Sequence, residues 1–83
     1  MTHHDHAGRL LAFIQDDVCV GGMELTLDTD LLLTGAVDSL GVIRITQWIE
    51  DEIGITVDPG DVTLENFQTV DRMLVYIDKA SGH

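Results

Sequence analysis

The chain has 83 residues, 45% of them hydrophobic, and its 15 acidic side chains against 4 basic ones give a formal net charge of −11. This length suits one domain, and the apolar content with a single proline favours a folded chain over a disordered one. The excess of negative charge argues against binding to nucleic acid or to an anionic membrane, and it favours partners that present basic patches.

The N-terminus carries three histidines, His3, His4 and His6, which together with His83 could be considered as metal ligands. No further run of Cys, His or carboxylate residues at ligand spacing accompanies them, so we predict no metal site. The single cysteine, Cys19, excludes an internal disulfide and a CxxC metal site. The chain also has no run of 18 apolar residues and no apolar leader, so we expect a cytoplasmic protein.

The first helix is predicted over about residues 6–20, where apolar residues recur at helical spacing. Its apolar face is formed by Leu11, Ile14 and Val18, with Leu10 and Phe13 beside them. Gly21 and Gly22 end it, as glycines commonly do just past a last turn. Cys19 lies in that last turn, where we expect a small, partly buried apolar residue.

Residues 23–37 form a long connection that is too apolar for a solvated linker. A long segment of this kind in a small domain is normally packed down or functional. We predict an ordered loop with a short turn near residues 30–33, whose leucines cover the helices. The leucines are Leu25, Leu27, Leu31, Leu32 and Leu33. Gly35 supplies backbone freedom shortly before the next helix.

The second helix is predicted from Ser39 to Ile53. Asp38 and Ser39 are typical of a helix start, because either side chain can accept a hydrogen bond from an unpaired backbone N–H group. The predicted apolar positions are Leu40, Ile43, Ile49 and Ile53, with Val42 and Ile45 beside them. The predicted outer face carries Gly41, Arg44, Gln47, Glu50 and Asp51. The glycine inside the helix and the acidic cluster at its C-terminal end are locally unfavourable, which indicates either a working surface or a solvated face.

Gly54 ends this helix, and Ile55 and Val57 then alternate towards the core. After the turn at residues 58–60, Asp61 or Thr63 is expected to cap a short helical turn that reaches Asn66. Thr69 is expected to cap the last helix, whose apolar face carries Val70, Met73, Leu74 and Ile77. The predicted fold is therefore an all-α four-helix bundle with three longer helices, one short helix and a long loop between helices 1 and 2. It is expected to be one domain over residues 1–83, with an ordered core of about 6–80 and polar tails at 1–5 and 81–83.

Three segments together resemble the acyl carrier protein family over about residues 8–80. They are Asp30-Leu-Leu-Leu-Thr-Gly-Ala-Val-Asp-Ser-Leu-Gly-Val-Ile43, Ile55-Thr-Val-Asp-Pro59 and Glu65-Asn-Phe-Gln-Thr-Val70, with an acidic helix after the first. The resemblance implies that a phosphopantetheinyl transferase attaches 4′-phosphopantetheine from coenzyme A to Ser39. It also implies that the arm's thiol holds acyl or aminoacyl groups as thioesters, in a monomer that is not itself an enzyme.

The resemblance further implies that partner enzymes recognise the residues around and after the serine. These are Asp38, Leu40, Arg44, Gln47, Glu50 and Asp51. Arg44 and Gly41 depart from the common pattern of fatty acid synthesis, where an acidic residue is usual in place of Arg44. We therefore expect a specialised carrier of lipid or secondary metabolism, loaded by an acyl or aminoacyl ligase and serving downstream enzymes with basic docking patches.

Other interpretations of the same residues remain open at this stage. Ser39 could be only a helix cap, and Leu40 could be a core residue. A serine nucleophile acting alone needs a positioned base, and the histidines all lie near the chain ends, so an enzyme is the weakest alternative. The competing class is an acidic helical interaction module that lacks the prosthetic group.

Overall fold

The computed structural model describes residues 3–82, with side chains from His6 onward. The helices are α1 (His3–Phe13), α2 (Ser39–Ile53), α3 (Leu64–Phe67) and α4 (Val70–Ala80). A π-helical turn, Ile14–Val18, continues α1, and a 3-10 turn, Pro59–Asp61, precedes α3. This confirms the predicted bundle of three longer helices and one short one, with no strand over residues 3–82. None of the described helices is long and apolar enough to cross a membrane.

The first helix begins earlier and ends earlier than predicted. It starts at His3, and its π-helical turn ends at Val18. There the N–H of Cys19 donates across five residues to the carbonyl of Ile14, at 2.7 Å. Such a bond widens the turn. The buried face advances in steps of four, through Leu10, Ile14 and Val18. Ile14 and Val18 were predicted correctly, whereas Leu10 takes the place predicted for Leu11, which is only partly buried. Cys19 is partly buried, as expected.

The core lies between α1, α4, α3 and the face of α2 that carries Ile45 and Ile49. The packed pairs of elements are α1 with α4, α3 with α4, and α2 with the π-helical turn. Among the residues whose side chains are described, the buried hydrophobic ones are almost all aliphatic, as the scarcity of aromatic residues predicted. They are Leu10, Ile14, Val18, Leu25, Leu31, Ala36, Val37, Ile45, Ile49, Val57, Phe67, Val70, Met73 and Ile77.

The long loop is ordered by backbone hydrogen bonds to the junction of α3 and α4. Leu31 donates to the carbonyl of Gln68 at 2.8 Å, and Asp71 donates to the carbonyl of Leu27 at 3.0 Å. Leu25 and Leu31 enter the core, whereas Leu27 and Leu33 stay exposed. Only part of the leucine set therefore covers the helices, and the rest remains on the surface.

The residues that end α2 and cap α3 and α4 are among those predicted. Gly54 ends α2 in a left-handed conformation, with φ +87°. Thr63 caps α3 by accepting from Asn66, and Thr69 caps α4 by accepting from Arg72. Thr63 therefore caps the short helix, and Asp61 belongs to the 3-10 turn before it.

Candidate functional site

At the start of α2, Asp38 caps the helix and the adjacent Ser39 presents an exposed hydroxyl. Asp38 is the cap: its backbone is extended, and its Oδ1 accepts from the N–H of Gly41 at 2.8 Å. Its carbonyl accepts the first helical hydrogen bond, from Val42 at 3.0 Å. Ser39 is the first residue inside the helix and is exposed, and its hydroxyl makes no hydrogen bond within the described chain. The interpretation of Ser39 as merely a cap is therefore wrong.

The backbone on either side of Ser39 is anchored in the core. Ala36 and Val37 are 1% and 3% exposed, and the Ala36 carbonyl accepts from the N–H of Val20 at 2.7 Å. Gly35 enters this buried segment with φ +80°, a conformation that glycine adopts without strain. Ser39 is therefore an exposed residue on a fixed backbone.

Gly41 anchors the other side, and the prediction that placed it on the outer face was wrong. It is buried, and a Cβ at this position would lie 2.7 Å from Val18 Cγ1 and 3.0 Å from Val37 Cγ1. The missing side chain thus lets α2 approach the end of α1 closely. The core face of α2 runs through Gly41, Ile45 and Ile49.

Leu40 was predicted to be either a core residue or a partner contact, and the structure leaves it 66% exposed. Ile43 is 52% exposed. The predicted apolar face was right at Ile49 and its neighbour Ile45, which are buried. It was wrong at Leu40 and Ile43, because the buried stripe begins at Gly41. Leu40 and Ile43 instead lie on the surface of α2 in its first two turns.

A groove of about 690 Å³ opens beside Ser39, between the start of α2 and the segment that contains α3. Its lining is mainly apolar and includes no basic side chain. The lining residues are Leu32, Gly35, Val37, Asp38, Ser39, Val42, Ile43, Val62, Thr63, Leu64 and Phe67. Three of the apolar ones, Ile43, Val62 and Leu64, are themselves exposed. The groove therefore suits an uncharged, apolar group, and its rim offers apolar surface to another molecule.

The side chain of Asp30 holds the loop that forms one wall of this groove. Its Oδ2 accepts from Gln68 Nε2 at 2.7 Å, and its Oδ1 accepts from the N–H of Leu33 at 2.8 Å. The bond from Gln68, and then that from Leu33, lowers the pKa of Asp30. Sequence reasoning missed this pair. The bond to Leu33 has a local signal, an aspartate three residues before the N–H it accepts from, but Gln68 is 38 residues away.

The predicted partner-recognition residues fall into three places. Asp38 and Leu40 lie at the start of α2. Glu50 is engaged within the chain, since its Oε2 accepts from the N–H of Val57 at 2.9 Å. The remaining three residues, Arg44, Gln47 and Asp51, share a smaller groove with Phe13 and Trp48.

No group of three or more His, Cys, Asp or Glu side chains that could hold a metal ion occurs among the described residues. The histidine cluster considered from the sequence falls mostly outside this description. The side chains of His3 and His4 and the whole of His83 are not described, and His6 is a partly buried residue of α1.

Comparison with known proteins gives one family and a structural relative. A family model described as a phosphopantetheine attachment site matches residues 8–77, which include the whole site described above. Among solved structures, a chain from a crystal structure of an FAD-dependent dehydrogenase is 26% identical, with a TM-score of 0.74. That match covers 82% of this chain and 97% of the other. No curated protein matches.

Proposed function

The chain belongs to the phosphopantetheine attachment site family, and we propose that it is a carrier protein whose prosthetic arm is attached to Ser39. The covalent 4′-phosphopantetheine of this family supplies, when bound, a terminal thiol that holds acyl groups as thioesters. The single observation that carries the assignment is the unengaged, exposed hydroxyl at the first position of α2.

The chain offers only one other serine, which makes a useful contrast. Ser81 lies beyond the matched residues 8–77, and its hydroxyl donates to the carbonyl of Ile77 at 2.8 Å. Ser39 lies within the match, on a backbone fixed by buried neighbours, and its hydroxyl is unengaged in the described structure. Both the family match and the hydrogen bonding therefore favour Ser39.

The surroundings of Ser39 fit a phosphodiester and an arm. The first N–H groups of a helix have no acceptor within it, and they favour a nearby phosphate. The N–H of Gly41 already donates to the carboxylate of Asp38. The backbone N–H groups of Ser39 and Leu40 are therefore the free helical donors nearest to the attachment point. The apolar groove that begins at the same residue gives a carried group a place to lie.

Attachment requires an enzyme, and we propose that the chain itself is not catalytic. Ser39 Oγ forms a bond to the phosphorus that bears pantetheine in coenzyme A, and the bond to the adenosine-bearing phosphate breaks. The hydroxyl proton passes to a base of the phosphopantetheinyl transferase. Asp38 is adjacent to Ser39, but its carboxylate caps the helix, and no imidazole is described beside it. The chain is a substrate in this step.

The partners we propose are a loading ligase for acyl or aminoacyl groups and downstream enzymes with basic patches, in a specialised lipid or secondary-metabolite pathway. The net charge of −11 supports this proposal, as does Arg44, which stands in α2 where an acidic residue is usual in the carriers of fatty acid synthesis. A solved chain that shares this fold comes from a crystal structure of an FAD-dependent dehydrogenase, so dehydrogenases of that class are candidate partners to test. We propose a cytoplasmic monomer of one domain.

Intact mass after incubation with coenzyme A and a promiscuous transferase tests the assignment. We expect a gain of about 340 Da, the mass of the arm, located on Ser39 by peptide mapping. Ser39→Ala should abolish the gain, and Ser81→Ala should leave it unchanged. A gain that persists in Ser39→Ala refutes the site. No gain in the wild type, with a control carrier modified in parallel, favours an interaction module without the arm.

A further inference from the structure

A second groove runs along α2 on the side of α1, away from the apolar groove beside Ser39. We call it the α1–α2 groove, and it is lined by Phe13, Arg44, Gln47, Trp48 and Asp51. The four residues from α2 are spaced at i, i+3, i+4 and i+7, so they form one stripe. Arg44 and Asp51 stand at its two ends, about 10 Å apart along the axis at 1.5 Å per residue.

Arg44 is held in place at the end nearer to Ser39. One of its terminal nitrogens donates to the carbonyl of Asp17 at 2.7 Å. Its guanidinium lies 6.0 Å from the centre of the Phe13 ring. A guanidinium has five N–H donors, so most of them remain available to a partner. Because the side chain is already ordered, binding to it loses little conformational entropy.

Asp51 is the available carboxylate at the other end of the groove. It lies in a run of three acidic residues, whose outer two members have partners within the chain. Glu50 accepts from the N–H of Val57, and Glu52 forms an ion pair with Arg9. Asp51 makes no hydrogen bond or ion pair within residues 3–82 and is exposed. The middle member of the run is therefore the one that can meet an external cation.

Two aromatic rings form the floor between these ends. Phe13 and Trp48 are stacked, with ring centres 5.6 Å apart and planes inclined by 22°. Arg9 lies 5.5 Å from the centre of the Trp48 ring, so the chain's own Arg9 and Arg44 flank the two rings. The planar fork of an arginine from another protein can pair with the Asp51 carboxylate through two hydrogen bonds, which a lysine cannot do.

We propose that the α1–α2 groove is a docking surface for a helix of a partner enzyme that carries one acidic and one arginine side chain two turns apart. The acidic side chain faces Arg44, and the arginine faces Asp51. A purely basic helix, which the net charge of −11 would favour overall, meets repulsion at Arg44. The proposal rests on the proposed function, because an enzyme that handles an arm on Ser39 must lie close to α2.

Four helical peptides test this pairing. They share one sequence except at two positions seven residues apart, which hold Glu and Arg, two Arg, two Glu or two Gln. Trp48, the only tryptophan of the chain, lines the groove, so its fluorescence reports binding. We expect the Glu and Arg peptide to bind the full-length protein about three- to fivefold more tightly than the doubly Arg peptide, the effect of one exposed ion pair.

A matched pair of variants separates the groove from the overall charge. Arg44→Glu should reverse the order, so that the doubly Arg peptide binds best. Arg72→Glu makes the same change of charge at an exposed residue of α4 and should leave the order unchanged. Tighter binding of the doubly Arg peptide to the wild type, or equal effects of the two variants, overturns the proposal, as does an unsaturable Trp48 signal with every peptide. The protein is used without its arm, so failure of attachment at Ser39 is a separate result.

Discussion

Replacement of Gly41 by alanine sets helix propensity against packing. In a helix interior alanine is favoured over glycine by about 1 kcal/mol. At this position, however, the added methyl would lie 2.7 Å from Val18 Cγ1, 3.0 Å from Val37 Cγ1 and 3.3 Å from Asp38 Oδ1. The first distance is shorter than carbon atoms tolerate, so either a neighbouring side chain or α2 itself must move.

The neighbouring side chains cannot move away easily. Val18 and Val37 are 6% and 3% exposed, and β-branched side chains are stiff about χ1. Inserting a methyl into a well-packed core typically costs about 1–3 kcal/mol, which exceeds the gain in propensity. We therefore expect Gly41→Ala to destabilise the protein by about 1 kcal/mol, which lowers Tm by roughly 4–8 °C in a domain of this size.

Urea unfolding followed by Trp48 fluorescence and circular dichroism measures the effect. Gly8→Ala is the matched control, because it lies in α1 and its added methyl would meet no atom within 4 Å. It should stabilise the protein by about 0.5–1 kcal/mol. In a double-mutant cycle, Val18→Ala should remove much of the Gly41→Ala penalty. If Gly41→Ala stabilised the protein as much as Gly8→Ala, the packing argument would be refuted.

Two further predictions concern the residues that hold the site in place. Asp38→Ala should cost about 1 kcal/mol of unfolding free energy through loss of the cap, whereas Ser39→Ala should change it by less than about 0.5 kcal/mol, measured by urea unfolding. The hydrogen bonds from Gln68 and Leu33 lower the pKa of Asp30 in the folded protein below 3.8, its value in the unfolded chain. The charged carboxylate therefore stabilises the fold at pH values above 3.8, and this stabilisation is lost as the pH falls through the pKa of the folded state. Asp30→Asn should therefore lose less stability than the wild type as pH falls below 3.8.

Each of these two predictions has its own contradicting result. An equal loss of stability in Asp38→Ala and Ser39→Ala would mean that the serine shares the capping role. For Asp30, the measurement is the unfolding free energy between pH 5 and pH 2, with Asp71→Asn as the control because Asp71 is exposed on α4. Parallel curves for Asp30→Asn and the wild type would mean that the Gln68 bond does not favour the charged form.

The boundaries of α2 and the caps of α3 and α4 were predictable because each depends on residues close in sequence. A helix start needs an Asp, Ser or Thr, and a helix end favours a glycine with positive φ. The residues from Ser39 to Ile53 satisfy both conditions, and the structure places α2 at those bounds. The serine and the phosphopantetheine group were predicted by resemblance to the acyl carrier proteins.

The faces of the helices were harder to predict, because hydrophobic periodicity counts apolar side chains and gives glycine no weight. Leu40 and Ile43 therefore shifted the predicted face of α2 away from Gly41, although Gly41 is buried and leaves no room for a Cβ beside Val18. In the first helix Leu10 and Leu11 are adjacent apolar residues that both fit helical spacing, and the structure buries Leu10. The aromatic floor of the α1–α2 groove depends on the packing of two helices, which the sequence does not specify.

Because Asp38, Ser39 and Gly41 have different roles, the proposed attachment at Ser39 is separable from folding. Asp38 caps the helix and Gly41 anchors it, whereas the Ser39 hydroxyl does neither in the described structure. A change at Ser39 should therefore remove the nucleophile from an intact fold, and a change at Asp38 or Gly41 should weaken the fold while keeping the nucleophile. Slower attachment in Asp38→Ala under conditions where it stays folded would then identify the cap as part of what the transferase recognises, because the hydroxyl itself is unchanged.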